Sequence, residues 1–481
     1  MLCAGILIPA CVSAAHFSTS RIIHRTVDLN IGEDQAVSLS DGRRVRVKLL
    51  DLQEHKDEVN EFLASNVSAN GLLDEFGNLE FTGAQLGADA INASLVMNTN
   101  HLADGQLGVL LVGVPLLAQD LPRFREQVIS KEVKFGYQLI AVDLNRDGKK
   151  DLIAVDERAA EVAWFENPTW ERHLLATNVP RPLNAACYDI DGDGIPEVIL
   201  AYHFETRPED SVGNVVLLTH GSDVRQPWTA REIDRVPTAH RVRWIDPEGN
   251  GKKVLLLGPM VGQRFPPIEG DPVPIYLYRP GQWQRETIST EPRGVLHAIN
   301  PVNWDGTARQ QLLTASYAGL HRLELIGGKW VATRLTPGDP RPWPLCGSSE
   351  VRLGHLGPQR ILVAIEPWHG NQAVVYLPEG EQWKRIVLDD RMDNGHALAV
   401  GDLDGDDRDE IVCGFRGKGC QLSIYQAVDA EGERWRKTVL DDGGIAAADC
   451  VIEDFTGDGK PDIACIGAST GNLKLYVNLG K

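Results

Sequence analysis

The feature that most constrains this chain is a unit of about 50 residues that recurs over its last three quarters. Each well-formed copy contains an acidic loop with oxygen-bearing side chains at its first, third, fifth and ninth positions, flanked by short apolar segments. Four loops fit this pattern: DLNRDGKKD, DIDGDGIPE, DLDGDDRDE and DFTGDGKPD, beginning at Asp143, Asp189, Asp402 and Asp454. Degenerate copies begin at Asp246 and Asn303 and near Gly354.

Alternate positions of a tight turn direct their oxygens to one point, which suits a hard cation, so the loops predict calcium sites. The expected ligands are Asp143, Asn145, Asp147 and Asp151 in the first loop, Asp189, Asp191, Asp193 and Glu197 in the second, Asp402, Asp404, Asp406 and Glu410 in the third, and Asp454, Thr456, Asp458 and Asp462 in the fourth.

A second marker repeats in phase with the loops. It is a tryptophan followed by polar residues and an apolar run, at Trp170, Trp228, Trp283, Trp330, Trp383 and Trp435, with intervals of 47 to 58 residues. This spacing fits four short strands per repeat, the size of one propeller blade. Seven first strands are expected near residues 137, 183, 240, 297, 349, 396 and 448.

Only six tryptophan-led outer strands follow the seven first strands. The segment RFREQVIS, from Arg123 to Ser130, supplies the missing one ahead of the first repeat. Pairing it with the last blade would close the ring and remove an exposed strand edge. The sequence therefore predicts an all-β fold in which residues 122–481 form a seven-bladed propeller, preceded by a small accessory domain of unknown role over residues 26–121.

The chain begins with an apolar stretch that ends in small residues, Ser13-Ala14-Ala15. It is too short to span a bilayer and resembles the apolar part of a signal peptide, so we expect residues 1–25 to be a leader of an exported protein without a transmembrane span. A buried N-terminus is the alternative, and lipid attachment at Cys11 stays open. So does the choice between a disulfide and free thiols for Cys413 and Cys420. Oligomeric state is not indicated.

Charge excludes one class of partner. The chain carries 67 acidic and 48 basic residues, a formal net charge of −19. Binding to nucleic acid or to an anionic membrane surface needs a positive field, so neither is expected as the main partner.

Histidines recur in one register of the repeat. Six residues before the first acidic position stand His240, His297 and His396. First strands line the central channel of a propeller, so equivalent positions in three blades converge on the axis. Three neutral imidazoles suit zinc or another divalent transition metal with one open coordination position. The alternative is a plug of hydrogen-bonded histidines without metal.

The turns between second and third strands open on the same face as these histidines. They are rich in polar and aromatic residues, which suggests a pocket for a hydroxylated or anionic ligand. The residues in question are His203, Arg207, Tyr317, His369 and Arg416.

The acidic loops resemble the FG-GAP/VCBS repeats of integrin-type propellers. More narrowly, AHRVRW, LHAIN, IEPWHGN, GHALAVGDLDGD and WFENP resemble the propeller of the aldos-2-ulose dehydratase (1,5-anhydrofructose dehydratase) family. This resemblance implies a zinc site at His240, His297 and His396 and removal of water from a keto-sugar. In such a reaction His369, His203 and Tyr317 are the acid or base candidates, and Arg207 and Arg416 would stabilise enolate charge.

Two other functions remain open. A polysaccharide lyase on the same scaffold would use similar elimination chemistry on an oligosaccharide. A non-catalytic propeller that binds carbohydrate or protein would need only calcium-stabilised blades.

Overall fold

The computed structural model describes residues 121–481 in full and, within residues 1–120, the backbone of eleven strands. The chain separates into two units, Met1–Leu117 and Ala118–Lys481. The leader predicted for residues 1–25, including Cys11, lies outside the described residues except for one strand at Cys3–Gly5.

The described part of the first unit is all β. It contains a five-stranded sheet in the order β3-β4-β9-β8-β7 and the two-stranded pairs β1-β2, β5-β6 and β10-β11, all antiparallel. The strands are β1 (Cys3–Gly5), β2 (Thr26–Asp28), β3 (Asp34–Ser38), β4 (Arg44–Lys48), β5 (Glu54–His55), β6 (Asn66–Val67), β7 (Gly71–Leu73), β8 (Leu79–Phe81), β9 (Gln85–Leu86), β10 (Ala93–Asn98) and β11 (Gly108–Gly113).

The second unit is a propeller of seven four-stranded antiparallel sheets, as the repeat predicted. Its strands are β12 (Phe124–Ser130), β13 (Gly136–Val142), β14 (Asp151–Asp156), β15 (Glu161–Glu166), β16 (Glu171–Thr177), β17 (Asn184–Tyr188), β18 (Glu197–Tyr202), β19 (Asn214–Thr219), β20 (Thr229–Arg235), β21 (Ala239–Ile245), β22 (Val254–Pro259), β23 (Ile275–Tyr278), β24 (Glu286–Ser289), β25 (Leu296–Val302), β26 (Gln311–Ser316), β27 (Gly319–Ile326), β28 (Lys329–Thr336), β29 (Glu350–Leu356), β30 (Gln359–Glu366), β31 (Gln372–Glu379), β32 (Gln382–Asp389), β33 (Gly395–Gly401), β34 (Glu410–Phe415), β35 (Gln421–Ala427), β36 (Trp435–Asp442), β37 (Ala447–Glu453), β38 (Asp462–Gly467) and β39 (Leu473–Asn478).

Six blades are formed by consecutive strands, and the seventh closes the ring. Its order is β12-β39-β38-β37, so the strand that precedes the first blade becomes the outer strand of the last. Pairs run from Phe124 opposite Asn478 to Ser130 opposite Leu473. This is the predicted closure, and it covers the β39 edge that an open array would expose.

Apolar side chains fill the spaces between blades, and hydrogen bonds recur beside them. Trp164 is fully buried between the first two blades. Tyrosines of third strands donate to the carboxylates that end the outer strand of the preceding blade: Tyr278 to Asp234 at 2.6 Å, Tyr425 to Asp389 at 3.1 Å and Tyr476 to Asp441 at 2.7 Å. A buried hydroxyl needs such a partner, so the same bond fixes neighbouring blades repeatedly.

No helix occurs among the strands and loops that the structure describes, and hence none there is long and apolar enough to cross a membrane.

The cysteines of the propeller form a different disulfide from the one considered from the sequence. Cys413 and Cys420 are free thiols. The disulfide joins Cys450 and Cys465, which stand directly opposite each other on β37 and β38. The sequence did not indicate this pair. The two cysteines are 15 positions apart, and only the register of the two strands brings them into contact.

Ring closure by β12 predicts a specific effect of truncation. Removing residues 1–131 deletes β12, leaves the outer edge of β39 unpaired and exposes the apolar surface against which Leu121 and Phe124 pack. We expect the midpoint of thermal unfolding to fall by at least about 5 °C, with association through the open edge. Calorimetry and light scattering measure the two effects. A variant lacking only residues 1–117 is the control, and equal melting of both variants would contradict closure as a stabilising contact.

Candidate functional site

Five of the seven inner strands begin with an irregularity that turns side chains towards the axis. In five blades the pairing of the first strand with the second skips one residue. A bulge sets two consecutive residues against one on the partner strand and re-aims their side chains. Gln138 and Tyr137 therefore both line the axial cavity, as do Ala448 and Asp449. The skipped residues are Tyr137, His240, His297, His396 and Ala448.

Three imidazoles meet at this end of the axis. His297, His369 and His396 each offer a nitrogen, and these three atoms lie within 4.8 Å of one another. The Nε2 atoms of His297 and His369 are 3.0 Å apart. Two nitrogens bound to one tetrahedral zinc ion, each about 2.0–2.1 Å from it, are separated by about 3.3 Å. The spacing of this pair is therefore close to that of two ligands of one ion.

Hydrogen bonds select the tautomer of two of these rings. Nδ1 of His396 donates to the carbonyl of Ala448, which leaves its Nε2 unprotonated. That Nε2 is buried and has no hydrogen-bond partner among the described residues. Nδ1 of His297 lies 3.0 Å from a carboxylate oxygen of Glu350 and donates to it, which frees its Nε2. A carboxylate behind an imidazole is a common support for a metal ligand, so the donor set fits a metal ion.

Burial keeps these rings neutral. Desolvation, followed by the positive charge of Arg241, lowers the pKa of His297 to about 4. Desolvation also holds the pKa values of His369 and His396 well below the usual range, with Arg416 acting in the same direction. A neutral imidazole retains the lone pair that a metal needs, so no proton has to be displaced at neutral pH.

His369 reaches the axis from a loop and not from an inner strand. It follows β30 with a positive φ of 47°, and the indole of Trp368 stacks on its ring with centroids 4.6 Å apart. The hydroxyl oxygen of Ser349 accepts its backbone N–H at 3.2 Å. At the base of the loop, the buried carboxylate of Glu366 accepts hydrogen bonds from Ser348 and Tyr376. These contacts fix the loop that carries His369.

His240 lies beside the three imidazoles but makes different contacts. Its ring centroid is 4.8 Å from that of His297, while its Nε2 is 2.6 Å from the hydroxyl of Tyr137. Arg241 donates to that hydroxyl at 3.0 Å, so the tyrosine proton is directed to His240. His240, Tyr137 and Arg241 therefore form a hydrogen-bonded group next to the three imidazoles.

Of the other predicted residues, Arg416 lies at this site and three do not reach it. Arg416 donates to Asn394 at 3.1 Å, and its Nε is buried without a partner among the described residues. His203 is held by Asn214 at 3.3 Å and stacks on Tyr202.

Arg207 is exposed to solvent. Tyr317 packs edge-on against Trp343, with centroids 4.9 Å apart, and burial raises its pKa. Its place is in an apolar cluster on the histidine face that also includes Tyr137. The cluster comprises Tyr137, Leu183, Phe204, Met260, Val261, Val295 and Tyr317, with Phe265, Trp343, Cys346 and Trp368 packed against it.

Sequence reasoning missed Glu350, Arg241 and Tyr137 as members of the site. Glu350 is the hub, because it contacts His297, Arg241 at 2.9 Å and Arg352 at 3.3 Å. A signal existed in the sequence. The position after the histidine register holds polar residues in five of seven inner strands, namely Gln138, Asn184, Arg241, Glu350 and Asp449.

The acidic loops adopt a common arrangement on the other face. The ninth-position carboxylate is buried and accepts the backbone N–H of the second loop residue, as Glu197 does from Ile190 at 2.8 Å and Glu410 from Leu403 at 2.9 Å. Two loops bring three carboxylates together: Asp189, Asp191 and Glu197 in one, and Asp402, Asp404 and Glu410 in the other.

In the remaining two loops the third position is the neutral Asn145 or Thr456. Some fifth positions have protein partners, since Asp193 contacts His220 at 3.0 Å and Asp458 contacts Lys460 at 2.6 Å. The loops beginning at Asp189 and Asp402 therefore have the strongest case for a cation.

Electrostatics support the same conclusion for the loop that begins at Asp402. Burial, followed by repulsion from Asp404 and Asp406, raises the pKa of Glu410 to about 8. Burial and Asp404 raise that of Asp406 to about 6. The side chain of Asp404 is fully buried, and its Oδ1 has no partner among the described residues. A bound divalent cation would remove this repulsion.

Comparison with known proteins supports both predicted resemblances. The FG-GAP-like repeat family matches residues 143–200. Aldos-2-ulose dehydratase of Phanerodontia chrysosporium is 25% identical over 401 residues, which cover 73% of this chain and 44% of the relative. The chain thus spans less than half of the length of that curated relative. The resemblances to FG-GAP propellers and to this dehydratase are confirmed.

Two solved structures illustrate the low similarity of the structural matches. BBS1N, from a complex with ARL6DN, is 11% identical, with a TM-score of 0.47, and the match covers 76% of this chain and 98% of that one. The extracellular domain of a hybrid two-component system from B. thetaiotaomicron is 13% identical, with a TM-score of 0.47, over 74% of this chain and 39% of that one.

If the loops hold calcium, chelation will destabilise the propeller. We expect millimolar calcium to raise the melting temperature of chelator-treated protein, because a ligand at a hundred times its Kd stabilises by about 2.7 kcal/mol. Glu410→Gln and Asp189→Asn should each reduce the calcium-dependent shift, measured by scanning calorimetry. Asp305→Asn, in a degenerate loop, is the matched control. A calcium response that is the same in all three variants would contradict these sites.

Proposed function

We propose that this protein is a metal-dependent lyase that removes water from a keto-sugar or anhydro-sugar at the propeller axis. Zinc, or another divalent transition metal, would be held by His297, His369 and His396. The observation that carries the proposal is the convergence of these three neutral imidazoles, of which His297 and His396 are buried and His396 has an unpartnered Nε2. The similarity to aldos-2-ulose dehydratase supplies the substrate class and the reaction type.

Sequence alone suggested His240 as the third ligand, and the geometry favours His369 in that role. Nε2 of His240 is directed at Tyr137, whereas Nε2 of His369 faces that of His297. We therefore assign His240 to the proton-transfer group and His369 to the metal.

The reaction breaks a C–H bond next to the ketone and a C–O bond on the following carbon. We assign the neutral imidazole of His240 as the base that takes the C–H proton, and this proton restores the hydroxyl of Tyr137 after Tyr137 has protonated the leaving group, so that water is the only molecule lost. A divalent ion at the three histidines would polarise the ketone oxygen and acidify that C–H bond. The guanidinium of Arg416 is positioned beside the cluster, and its unpartnered Nε can donate to oxygen as enolate charge develops.

The leaving hydroxyl departs as water only if it receives a proton. Tyr137 lies next to His396, with ring centroids 5.1 Å apart, and burial raises its pKa, so it is protonated at neutral pH. Its hydroxyl, held between His240 and Arg241, is the proton donor that we assign.

The surroundings favour a small substrate over a polymer. The apolar cluster that includes Phe204, Met260, Tyr317 and Trp343 packs together with Tyr137 on this face. A polysaccharide lyase needs a long open groove, which such a cluster does not provide. A non-catalytic propeller would gain nothing from the unpartnered, buried Nε2 of His396, since an unpaired buried nitrogen costs stability.

Export is part of the proposal. FG-GAP repeats are typical of extracellular proteins, and the pair Cys450 and Cys465 forms a disulfide, a bond that persists in oxidising compartments. We propose that the protein acts outside the cytoplasm on a diffusible sugar.

Metal content distinguishes the histidines assigned as metal ligands from His240, which is assigned to proton transfer. We expect His297→Ala, His369→Ala and His396→Ala each to lower the zinc bound per chain at least tenfold, because a lost ligand removes a direct bond. His240→Ala should retain the metal. Elemental analysis of the folded proteins measures this.

His321→Ala is the matched control, because His321 is also a buried, neutral histidine but lies outside the site. Wild-type protein that takes up no transition metal would contradict the proposal, as would metal loss in His240→Ala alone.

Activity tests the assigned roles. With keto-sugars as substrates and enone absorbance as the readout, Arg416→Gln should lower kcat by about 100-fold, the usual effect of losing one oxyanion donor. Tyr137→Phe should also lower kcat while metal content stays unchanged.

Arg207→Gln serves as a control, since Arg207 is exposed and away from the axis. Unchanged turnover in Arg416→Gln and Tyr137→Phe would remove their assigned roles. Full metal content without turnover of any keto-sugar would favour a binding function.

A further inference from the structure

The axis has a second opening, on the face of the acidic loops. This opening leads into a cavity of about 580 Å³, which lies along the axis on the side away from the histidines. Part of its wall is apolar and includes Val302, Leu353 and Val451, while polar groups line the rest and charged residues stand at its inner end. Apolar walls around a few convergent polar groups are the usual composition of a small-molecule site.

Two guanidinium groups line the inner end of this cavity. Arg243 donates through Nη1 to Asn184 at 2.7 Å and to the carbonyl of Val242 at 2.7 Å. Arg352 donates through Nη1 to Glu350 and to the carbonyl of Val351. Nε and Nη2 of both arginines have no acceptor among the described residues. These donors are available to a ligand in the cavity.

Nearby carboxylates do not fully neutralise the arginines. Arg241, Arg243 and Arg352 carry three positive charges, against two negative charges on Glu350 and Asp449. Glu350 is shared by Arg241, Arg352 and His297. Both oxygens of Asp449 accept backbone N–H groups, from Leu139 and Cys450.

Repulsion between the arginines reflects this surplus. Burial, followed by the charges of Arg241 and Arg352, lowers the pKa of Arg243 to about 10. At the rim, Lys253 and Glu453 add one charge of each sign and leave the balance unchanged. The inner end therefore has a surplus of one positive charge.

We propose that this cavity binds a small organic monoanion, with its carboxylate on the guanidinium groups of Arg243 and Arg352 and its carbon body against the apolar walls. Guanidinium forks match the geometry of a carboxylate. A single negative charge balances the surplus, whereas a dianion would leave excess negative charge next to Glu350 and Asp449. The two arginines that would hold the anion have no role in the lyase reaction, so the proposal does not rest on that function, although Arg241 and Glu350 contribute to the charge balance of both sites.

Calorimetric titration tests the site, with benzoate as an organic monoanion and inorganic sulfate as a dianion without an apolar part. Prior dialysis against phenanthroline removes transition metal, so that neither anion can bind at the histidines. We expect benzoate to bind with a Kd of about 1 mM or below, and sulfate to bind at least tenfold more weakly. Arg243→Gln and Arg352→Gln should each weaken benzoate binding tenfold or more, because a charge-assisted pair is lost.

Arg279→Gln is the matched control, because Arg279 lies on the surface in a pair with Glu286. It should leave benzoate binding unchanged. The proposal is overturned if benzoate fails to bind, if sulfate binds as tightly, or if both glutamine variants, once shown to be folded by circular dichroism, bind benzoate normally.

A second measurement does not require variants. Crystals of the unmodified protein soaked in bromide, a monoanion visible by anomalous scattering, should show bromide between Arg243 and Arg352. Bromide sites confined to other parts of the surface would overturn the proposal.

Discussion

The candidate site depends on the bulge at the start of the inner strands. A regular strand directs only every second side chain to one face, so an inner strand would offer the axis one residue in two. The skipped residue allows two neighbours to reach it, as Tyr137 and Gln138 do. The bulge at His240 does the same for His240 and Arg241. The bulged His297 meets its supporting Glu350 from the regular inner strand of the next blade. The bulges therefore bring enough polar side chains to the axis to form a site.

The site forms a continuous network with the rest of the channel. Glu350 accepts from His297 on one side and from Arg352 on the other, and Arg241 binds the same carboxylate. One carboxylate thus orients a metal-ligand candidate on one side and contacts the guanidinium of Arg352 on the other. Because these charged groups are buried, leaving any of them unpaired would cost free energy. The hydrogen bonds among them therefore hold their side chains in place.

The sequence predicted most of the fold because the same local pattern recurs in several blades. The acidic loops and the tryptophans placed the first strand of each blade within one residue of its observed start, and the closing strand at Phe124–Ser130 followed from counting. The site was predicted in part. The histidine register located the axis and selected His297 and His396, but it gave equal weight to His240. It left His369, from a loop, as a catalytic candidate.

The differences between the predicted and the observed arrangement share one cause. Whether an imidazole nitrogen faces its neighbours or a tyrosine hydroxyl depends on ring orientation, which contacts across blades determine. The same holds for Cys450 and Cys465, which strand register brings together. By itself, then, the sequence determined the seven-bladed ring, its closure and its acidic loops, because periodic local patterns encode them. Only the tertiary structure decided which side chains meet on the axis, since that depends on residues far apart in the chain.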